Sequence, residues 1–465
     1  MLPRKLGEGP MTIDAGTKAH AYPTKQFFVK MITRDLTLSD CILDLIDNSV
    51  DAAWKSEGGG QTELRRDNNL SKFSISISLS QDQFSIEDNC GGMTLDDAVD
   101  YAFSFGKQEK YEYGSYSIGA YGIGMKRAIF KLGTGIRIQS TYAAPDGRRE
   151  SFAVPIDVGS WLTSNDPPWD FDILPAEDLR ENGLRITVDA LNSEASGLFG
   201  SQAFSLDLRR AIARDYSLHL DRGLRIALNG SPITGWQIEL RQSDEFVPMR
   251  FAYQDRVNGN DVGVEIIGGM AAAPPDEAEP EDSVDRDRRY GWYVVCNGRV
   301  VLAADRTTVS GWGTDDWPQW HPQYAGFIGI ILFNSVNAVA LPLTTTKRSI
   351  DDSSEIFRRA RPRMRELTRK WIDYTNARKQ ALEEAKQKER SAQSVSIYSV
   401  ARETSVRLPA LIARLADPVA NVQYSVPLAK MRKLAKKFGS ANLSYREVGL
   451  KSFDYAYREK VGEEE

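Results

Sequence analysis

Three short segments combine carboxylate, carboxamide, glycine and basic residues in patterns that suit phosphate chemistry. The first is DCILDLIDNSVDAA at residues 40–53, where Asp44 and Asn48 are four residues apart and share one face of a helix. An amide oxygen is a hard ligand, so Asn48 is a candidate for Mg²⁺. The Asp44 carboxylate can accept a proton from a water that attacks a phosphate. Taken alone, this segment is more typical of an exposed acidic helix face.

The second segment is SIEDNCGGMT at residues 85–94. A strand runs into Asp88, and the glycines that follow let the backbone approach a ligand closely. A carboxylate in this position can accept a hydrogen bond from the exocyclic amine of adenine, which only donates. Without the other segments, an ordinary Asn/Gly turn is the better interpretation.

The third segment is YSIGAYGIGMKRAIFKLG at residues 116–133. Gly119, Gly122 and Gly124 precede a predicted helix whose first turn contains Lys126. Free amides at a helix N-terminus, together with the helix dipole, bind phosphate. A glycine pattern of this kind is weak by itself.

Hydrophobic periodicity predicts the elements that position these segments. Helices are predicted at 27–55, 95–103 and 124–132, and strands at 73–79, 84–86, 136–141, 151–154 and 184–188. These predict an α+β layer with helices on one face of a mixed or antiparallel sheet. A second unit is predicted from Ser205, with hairpins at Asn229-Gly230 and Asn297-Gly298 and a helical pattern from Ser354.

Bulk composition excludes several classes of protein. Of 465 residues, 41% are hydrophobic and 26% charged, and the net charge is -5, so the chain as a whole is not a polycation that coats nucleic acid. No segment approaches the ~20 apolar residues that span a bilayer, which predicts no membrane association. Three dispersed cysteines predict neither disulfides nor a zinc site, and favour a cytoplasmic location.

Positive charge is concentrated in two places. Residues 358–390 contain 12 Lys/Arg and 5 Asp/Glu, and residues 430–437 read KMRKLAKK. Both segments are candidates for contact with nucleic acid or a protein client, because basic side chains displace counterions from a phosphate backbone. Solvated basic helices are the commoner explanation of such charge.

Together, the order and spacing of the three segments resemble the N, G1 and G2 boxes of the GHKL ATPases, which include DNA gyrase B, the heat-shock-90 chaperones, histidine kinases and MutL. The runs AFSFGKQEK and IGAYGIGMKRA are most similar to the microrchidia (MORC) type. The resemblance covers about residues 25–190 and extends more weakly to about 350. It implies a Bergerat-type α/β sandwich that binds ATP and Mg²⁺.

The resemblance also implies a role for each matching residue. Asn48 would hold Mg²⁺, Asp44 occupies the place of the family's glutamate base, and Asp88 would contact adenine. The remaining residues expected around the nucleotide are Asp51, Gly92, Met93, Gly106, Lys107, Gly119, Gly122, Ile123, Gly124, Met125, Lys126 and Thr187.

Three departures from the family pattern bear on catalysis. Asp44 is one methylene shorter than glutamate, which predicts slow hydrolysis. Cys90 replaces the first glycine of Asp-x-Gly-x-Gly. Gly183-Leu184 replaces a Gly-Thr pair beside the adenine, and Thr187 is the nearest hydroxyl further along that strand.

LPLTTTKRSID at residues 341–351 resembles the lysine loop of a transducer domain. In dimeric relatives that lysine reaches the γ-phosphate, which makes Lys347 the candidate for a fixed cation that stabilises the transition state. A plain basic turn before a helix is the alternative.

The resulting organisation is an N-terminal arm (1–25), a GHKL ATP-binding domain (26–204), a transducer-like, ribosomal S5-like α/β domain (205–352), a basic helix (353–390) and a helical C-terminal region of unknown role (391–465).

The expected function is an ATP-gated switch or clamp: a homodimer that closes on ATP, with residues 94–121 as its lid, and hydrolyses ATP slowly. The alternative is a clamp for nucleic acid or a partner in which ATP is mainly a structural ligand. For the latter, a DNA-associated or phage-defence role rests on fold-level analogy alone. Kinase and chaperone roles are disfavoured by the absence of a histidine-bearing helix upstream and by chain length.

Overall fold

The computed structural model describes residues 23–59, 64, 67, 69–104, 116–119, 122–163, 169–276, 289–314, 317–344, 347–411, 422–440 and 442–462. The chain divides into a large unit, Met1–Ile412, and a small unit, Ala413–Glu465. Most of the predicted N-terminal arm lies outside the described residues, as do Gly106 and Lys107. Within the described ranges, no helix has both the length and the apolar character needed to cross a membrane.

The first layer of the large unit is an eight-stranded sheet in the order β5-β4-β3-β6-β2-β1-β7-β8. Its strands are β1 (Ser74–Leu79), β2 (Phe84–Asp88), β3 (Gly135–Ala143), β4 (Arg149–Asp157), β5 (Leu174–Pro175), β6 (Gly183–Val188), β7 (Arg225–Leu228) and β8 (Ser231–Pro232). Only β1 and β7 pair in parallel among these neighbours. Alternate residues such as Ile75 and Ile77 are buried, so one face of the sheet forms the core, as predicted.

The helices of this layer are α1 (Lys25–Thr33), α2 (Leu38–Ser56), α3 (Leu95–Asp97, continued as a π-helix Ala98–Ala102), α4 (Gly124–Leu132), α5 (Val158–Thr163), α6 (Ser193–Phe199), α7 (Gln202–Asp215) and α8 (Ser217–Asp221). The segment predicted to be helical, 27–55, is helical except at residues 34–37, where the chain divides it into α1 and α2. A capping box starts the second helix: Thr37 accepts from the Asp40 N–H while the Asp40 carboxylate accepts from the Thr37 N–H.

The first layer extends further along the chain than predicted. The predicted domain boundary between residues 204 and 205 falls inside α7. The hairpin at Asn229-Gly230 joins β7 to β8, and β7 pairs with β1 of the first sheet. Ile226 and Leu228 pack into the same core as α2. The hairpin prediction is therefore confirmed, but its assignment to the second unit is wrong, since a local turn signal does not identify the strand's partner.

The second layer is a five-stranded sheet in the order β10-β11-β14-β12-β13, accompanied by a two-stranded pair β15-β9. The strands are β9 (Glu239–Gln242), β10 (Met249–Val257), β11 (Asn260–Met270), β12 (Gly291–Cys296), β13 (Arg299–Asp305), β14 (Phe327–Asn334) and β15 (Gln393–Ser396). Met364, Leu367 and Trp371 of the following helix are buried in this layer's core. Residues 393–396 pair with β9, so the predicted C-terminal region 391–465 is divided between the two units.

The predicted basic helix at 353–390 is two helices, α9 (Glu355–Gln380) and α10 (Leu382–Ser391). Several of its cations are paired within the large unit: Arg359 with Asp255, Arg378 with Glu389, and Lys388 with Glu245. This pairing neutralises much of the charge on which a polyanion surface would depend. The small unit contains α11 (Leu428–Lys437) and α12 (Tyr445–Val461).

Candidate active site

Helix α2 presents a row of acidic side chains at the centre of the candidate site. Asp44 is 2% exposed and Asp47 is fully buried, whereas Asn48 and Asp51 are half-buried. The apolar residues of α2, such as Leu45 and Ile46, pack into the first core. Because carboxylates are rarely buried without compensation, each of the three aspartates requires a partner.

Asp88 lies at the end of β2 and is held by three hydrogen bonds. Its Oδ2 accepts from the Ser49 hydroxyl at 2.6 Å, and its Oδ1 accepts from the backbone N–H of Cys90 at 2.9 Å and, more weakly, of Leu184 at 3.4 Å. Burial raises the pKa of Asp88, although the hydrogen bonds from Ser49 and Cys90 oppose this shift. Ser49 is a site residue that the sequence analysis missed.

The loop after Asp88 approaches the sheet closely. Gly92 has φ of +77°, and a Cβ there would lie 2.1 Å from the Thr141 carbonyl oxygen, so only glycine fits. The Met93 N–H donates to the Ser140 hydroxyl at 2.7 Å, and that hydroxyl donates to the Met93 carbonyl at 2.8 Å. Burial raises the pKa of the Cys90 thiol, which makes this cysteine a packing residue rather than a nucleophile.

Thr187 lies on the wrong face of the sheet for the role proposed for it. It pairs with Ser85 on β2, three residues before Asp88, so the two side chains point to opposite faces. Ile186 and Val188 on either side of Thr187 are buried in the core. The assignment of Thr187 as a nucleotide contact is therefore wrong, because strand register reverses the direction of the side chain.

The glycine-rich segment leads into α4 beside α2. Gly122 has φ of +67°, and a Cβ at Gly124 would lie 3.6 Å from the Asp44 carboxylate. Ile123 is the residue before the first turn of α4, which contains Met125. The Lys126 ammonium donates to the carbonyls of Ala102 and Ser104 at 2.9 and 2.6 Å.

Burial lowers the pKa of Lys126 to about 8. Its side chain connects α4 to the end of the π-helix. Any phosphate contact at this position would therefore come from the backbone amide.

Asp51 holds the residues that precede α4. Its two carboxylate oxygens accept the backbone N–H groups of Ile118 at 2.7 Å and Gly119 at 2.9 Å. The Gly119 amide, predicted to contact phosphate, thus already donates to a carboxyl oxygen. Burial raises the pKa of Asp51 to about 7, against the opposing effect of these two hydrogen bonds.

The shifted pKa of Asp51 predicts a pH-dependent contribution to stability. The folded protein retains a proton on Asp51 that the unfolded chain releases between about pH 4 and pH 7, so the group's contribution falls as pH rises through this window. We expect Asp51→Asn to gain stability relative to wild type between these pH values. Urea unfolding at matched pH measures the difference, and a difference that does not change with pH would contradict it.

Asp44 is engaged by two cations. Its Oδ2 accepts from Arg127 Nε at 2.9 Å and Nη2 at 2.7 Å, and its Oδ1 lies 3.6 Å from Lys347 Nζ. Arg127 comes from α4, whereas Lys347 comes from the loop after the second sheet. The structure therefore brings the predicted lysine to the predicted base, in a site where both are almost completely buried.

Asp47 forms a second buried ion pair between the layers. It pairs with Arg299 of β13, accepts from Lys347 at 3.0 Å and accepts from the Tyr216 hydroxyl at 2.7 Å. Burial alone would raise the pKa of Asp47, but the charges of Arg299 and Lys347 outweigh it and hold the pKa below its usual value. The i, i+4, i+7 spacing of Asp40, Asp44 and Asp47 along one helix is the sequence signal that could have indicated this cluster.

Two further residues, Arg348 and Asn297, link the second layer to the site. Arg348 pairs with Asp40 at the start of α2 and with Asp215 at 3.1 Å. Asn297, at the turn between β12 and β13, donates to the Ser117 carbonyl at 2.8 Å. Ser117 immediately precedes the two residues held by Asp51, so side chains from both layers fix this short segment.

Comparison with known proteins gives one match. The model of the histidine kinase-, DNA gyrase B- and HSP90-like ATPase family matches residues 36–169, which include α2, the Asp88 loop and the glycine-rich segment. No curated protein matches the chain. The matched range covers α2, the Asp88 loop and α4, whereas Arg299 and Lys347 lie outside it, and the fold is the mixed α+β arrangement expected for such a domain. Residues 36–169 are therefore assigned to the histidine kinase-, DNA gyrase B- and HSP90-like (GHKL) ATPase family as one domain of this chain.

Proposed function

We propose that the chain binds Mg²⁺-ATP between α2, the Asp88 loop and residues 116–119 and 122–124, and uses the nucleotide to couple its two layers. The observation that carries this proposal is the convergence of Lys347 and Asp44 at 3.6 Å, because it places a cation of the second layer beside the first layer's candidate base. Ligand-dependent ordering of such contacts is an established switching mechanism.

Adenine recognition is assigned to Asp88. Its carboxylate is buried and oriented by Ser49 and the Cys90 amide, which leaves it fixed rather than mobile. A fixed acceptor selects a base that donates at this position, as the adenine amine does. Gly92 and Met93 supply the adjoining wall.

The candidate site fits a single protein ligand for Mg²⁺. The Asn48 side chain is half-buried and has no hydrogen-bond partner among the described residues. No group of three or more His, Cys, Asp or Glu suited to a metal occurs in the part of the chain that the structure describes. Nucleotide-bound Mg²⁺ takes most of its ligands from phosphate and water, so one amide oxygen from Asn48 suffices.

Nucleotide phosphates would compete for donors that are already bound to carboxylates. The Gly119 amide binds Asp51, and Lys347 binds Asp47 and lies near Asp44. A γ-phosphate offers the same anionic oxygens and would displace these contacts without leaving a donor unpaired. We infer that Asp51 and Asp47 hold these groups in place until the nucleotide replaces them.

Asp44 is the residue to which we assign the proton-accepting role in hydrolysis. Two hydrogen bonds from Arg127 occupy one of its oxygens, and Lys347 lies beside the other. An attacking water would therefore have to compete with Arg127 and Lys347 for this carboxylate. This arrangement and the short aspartate side chain support slow turnover.

The matched variants Asn48→Ala and Asp44→Asn test this assignment. We expect Asn48→Ala to lose the Mg²⁺-dependent part of ATP binding, and Asp44→Asn to bind ATP while its turnover falls by about 10²-fold or more. Calorimetry and phosphate release measure the two effects. If Asn48→Ala binds Mg²⁺-ATP as well as wild type does, the pocket assignment fails.

The resemblance to dimeric relatives supports an ATP-dependent homodimer. We expect the mass measured by light scattering to double when a non-hydrolysable ATP analogue and Mg²⁺ are added. Lys347→Met should weaken this response because it removes the cation that joins the layers. An unchanged monomeric mass with and without the analogue would contradict the clamp.

A further inference from the structure

Helix α11 in the small unit carries a concentrated positive charge that nothing in the described structure neutralises. Its ten residues contain five basic side chains and no acidic one. The five are Lys430, Arg432, Lys433, Lys436 and Lys437, and all are exposed. In the ranges that the structure describes, none of them has a carboxylate partner, unlike the paired cations of α9 and α10. Helical periodicity places the five on one side of α11, about 160° wide.

This charge is segregated from the remainder of the chain. Residues 422–462 contain nine Lys/Arg and three Asp/Glu, a net +6, whereas the whole chain is -5. The glutamates at 463–465 and the few charges at 413–421 reduce the whole small unit to +3, with ten Lys/Arg and seven Asp/Glu. A second copy of α11 would bring like charge, so an anionic partner suits this side of the helix better.

Helix α12 adds exposed aromatic rings. Phe453 is 61% exposed and Tyr455 64% exposed, and Phe453 stacks on Tyr457 with ring centroids 6.2 Å apart. Val448 is the buried position of α12, and helical geometry places Phe453 about 140° around the helix from it. The stacked pair therefore faces away from the side that is packed.

We propose that this α11–α12 surface, made of the five α11 cations and the stacked Phe453 and Tyr457 rings of α12, binds single-stranded nucleic acid. The cations would contact phosphates and release counterions, and the rings would stack on bases, which expose their faces only in single strands. Tyr455 lies on nearly the opposite side of α12 from Phe453, unlike the single apolar face of a helix that lies on a membrane. This inference is independent of the ATP site.

Fluorescence anisotropy with the full chain tests the surface. The probes are labelled oligo(dT) and oligo(U) of about 20 nucleotides, and a duplex of the same length. We expect both single strands to bind, with the logarithm of affinity falling against the logarithm of salt concentration with a slope of about -3.5 for five phosphate contacts. The two single strands separate a DNA preference from an RNA preference.

Two variants and one control locate the binding. Lys433→Glu with Lys436→Glu and Lys437→Glu should lower affinity at least about tenfold and reduce the slope by about 2. Phe453→Ala with Tyr457→Ala should lower single-strand affinity about tenfold and leave duplex binding unchanged. The control is Arg137→Glu with Arg358→Glu and Arg369→Glu, three exposed arginines of the large unit, which should retain wild-type affinity.

Several results would overturn the inference. One is the absence of salt-dependent binding of the oligonucleotides. Another is an equal loss of affinity in the control and the α11 variant, and a third is tighter binding of anionic vesicles than of either oligonucleotide. ATP binding measured on the same preparations should be unchanged in all variants. That measurement separates a failure of this surface from a failure of the ATP pocket.

Discussion

Replacing Asp47 with alanine is expected to lower the free energy of unfolding of the large unit by about 3–5 kcal/mol. The reason is that Arg299 is 1% exposed and would keep its charge without a partner. Lys347 and the Tyr216 hydroxyl would each lose a hydrogen bond as well. Urea unfolding followed by tryptophan fluorescence measures the change.

The matched control is Asp207→Ala, which removes the partner of Arg210 in an exposed ion pair on α7. Exposed pairs contribute at most about 1 kcal/mol, so this variant should be close to wild type. The pKa of Asp47 is held below its usual value, so its contribution persists at neutral pH and is lost as the solution is acidified below the usual aspartate range. A similar decrease in the free energy of unfolding in the two variants would show that the buried cluster does not join the layers.

Replacing Asp88 with asparagine is expected to weaken ATP binding by about 30- to 150-fold, or roughly 2–3 kcal/mol. The two side chains have the same shape, but asparagine presents an amide N–H₂ to one of the donors that Asp88 now accepts. If the amide nitrogen replaces Oδ1, the Cys90 N–H loses its acceptor; if it replaces Oδ2, Ser49 must reverse its hydrogen bond and the adenine amine meets a donor. Calorimetric titration of Mg²⁺-ATP measures the loss.

Thr187→Val supplies the control for this prediction. Thr187 lies in the same sheet but faces away from Asp88, so its substitution should leave ATP affinity unchanged. If Thr187→Val and Asp88→Asn bind ATP equally well, adenine is not recognised at the end of β2.

The order of the three sequence segments predicts residues that the structure brings close to one another, although their roles stay a prediction. Asp44, Asn48, Asp88 and Gly119 each belong to a segment with a recognisable pattern, and the structure places all of them around α2. The prediction for Lys347 depends on the resemblance of its loop to a transducer lysine loop and on the three upstream segments. The sequence also contains a signal for the start of α2, because Thr37 and Asp40 have the spacing of a capping box.

The buried charge cluster could not be predicted in the same way. Asp47 and Arg299 are 252 positions apart, and Asp47 and Tyr216 are 169 apart. Neither pair has a local pattern, because each depends on how two layers meet. The prediction that Thr187 contacts the nucleotide is wrong for a related reason. The direction of its side chain depends on the register of β6 against β2, which composition does not reveal.

Parallel titration of Mg²⁺-ATP and Mg²⁺-GTP into the full wild-type chain tests the central claim most directly. If Asp88 accepts a hydrogen bond from the adenine amine, ATP will bind at one site per chain. GTP will bind at least about 100-fold more weakly, because guanine presents a carbonyl where adenine has a donor. Equal affinity for the two nucleotides, or no saturable binding of ATP, would contradict the assignment of this pocket.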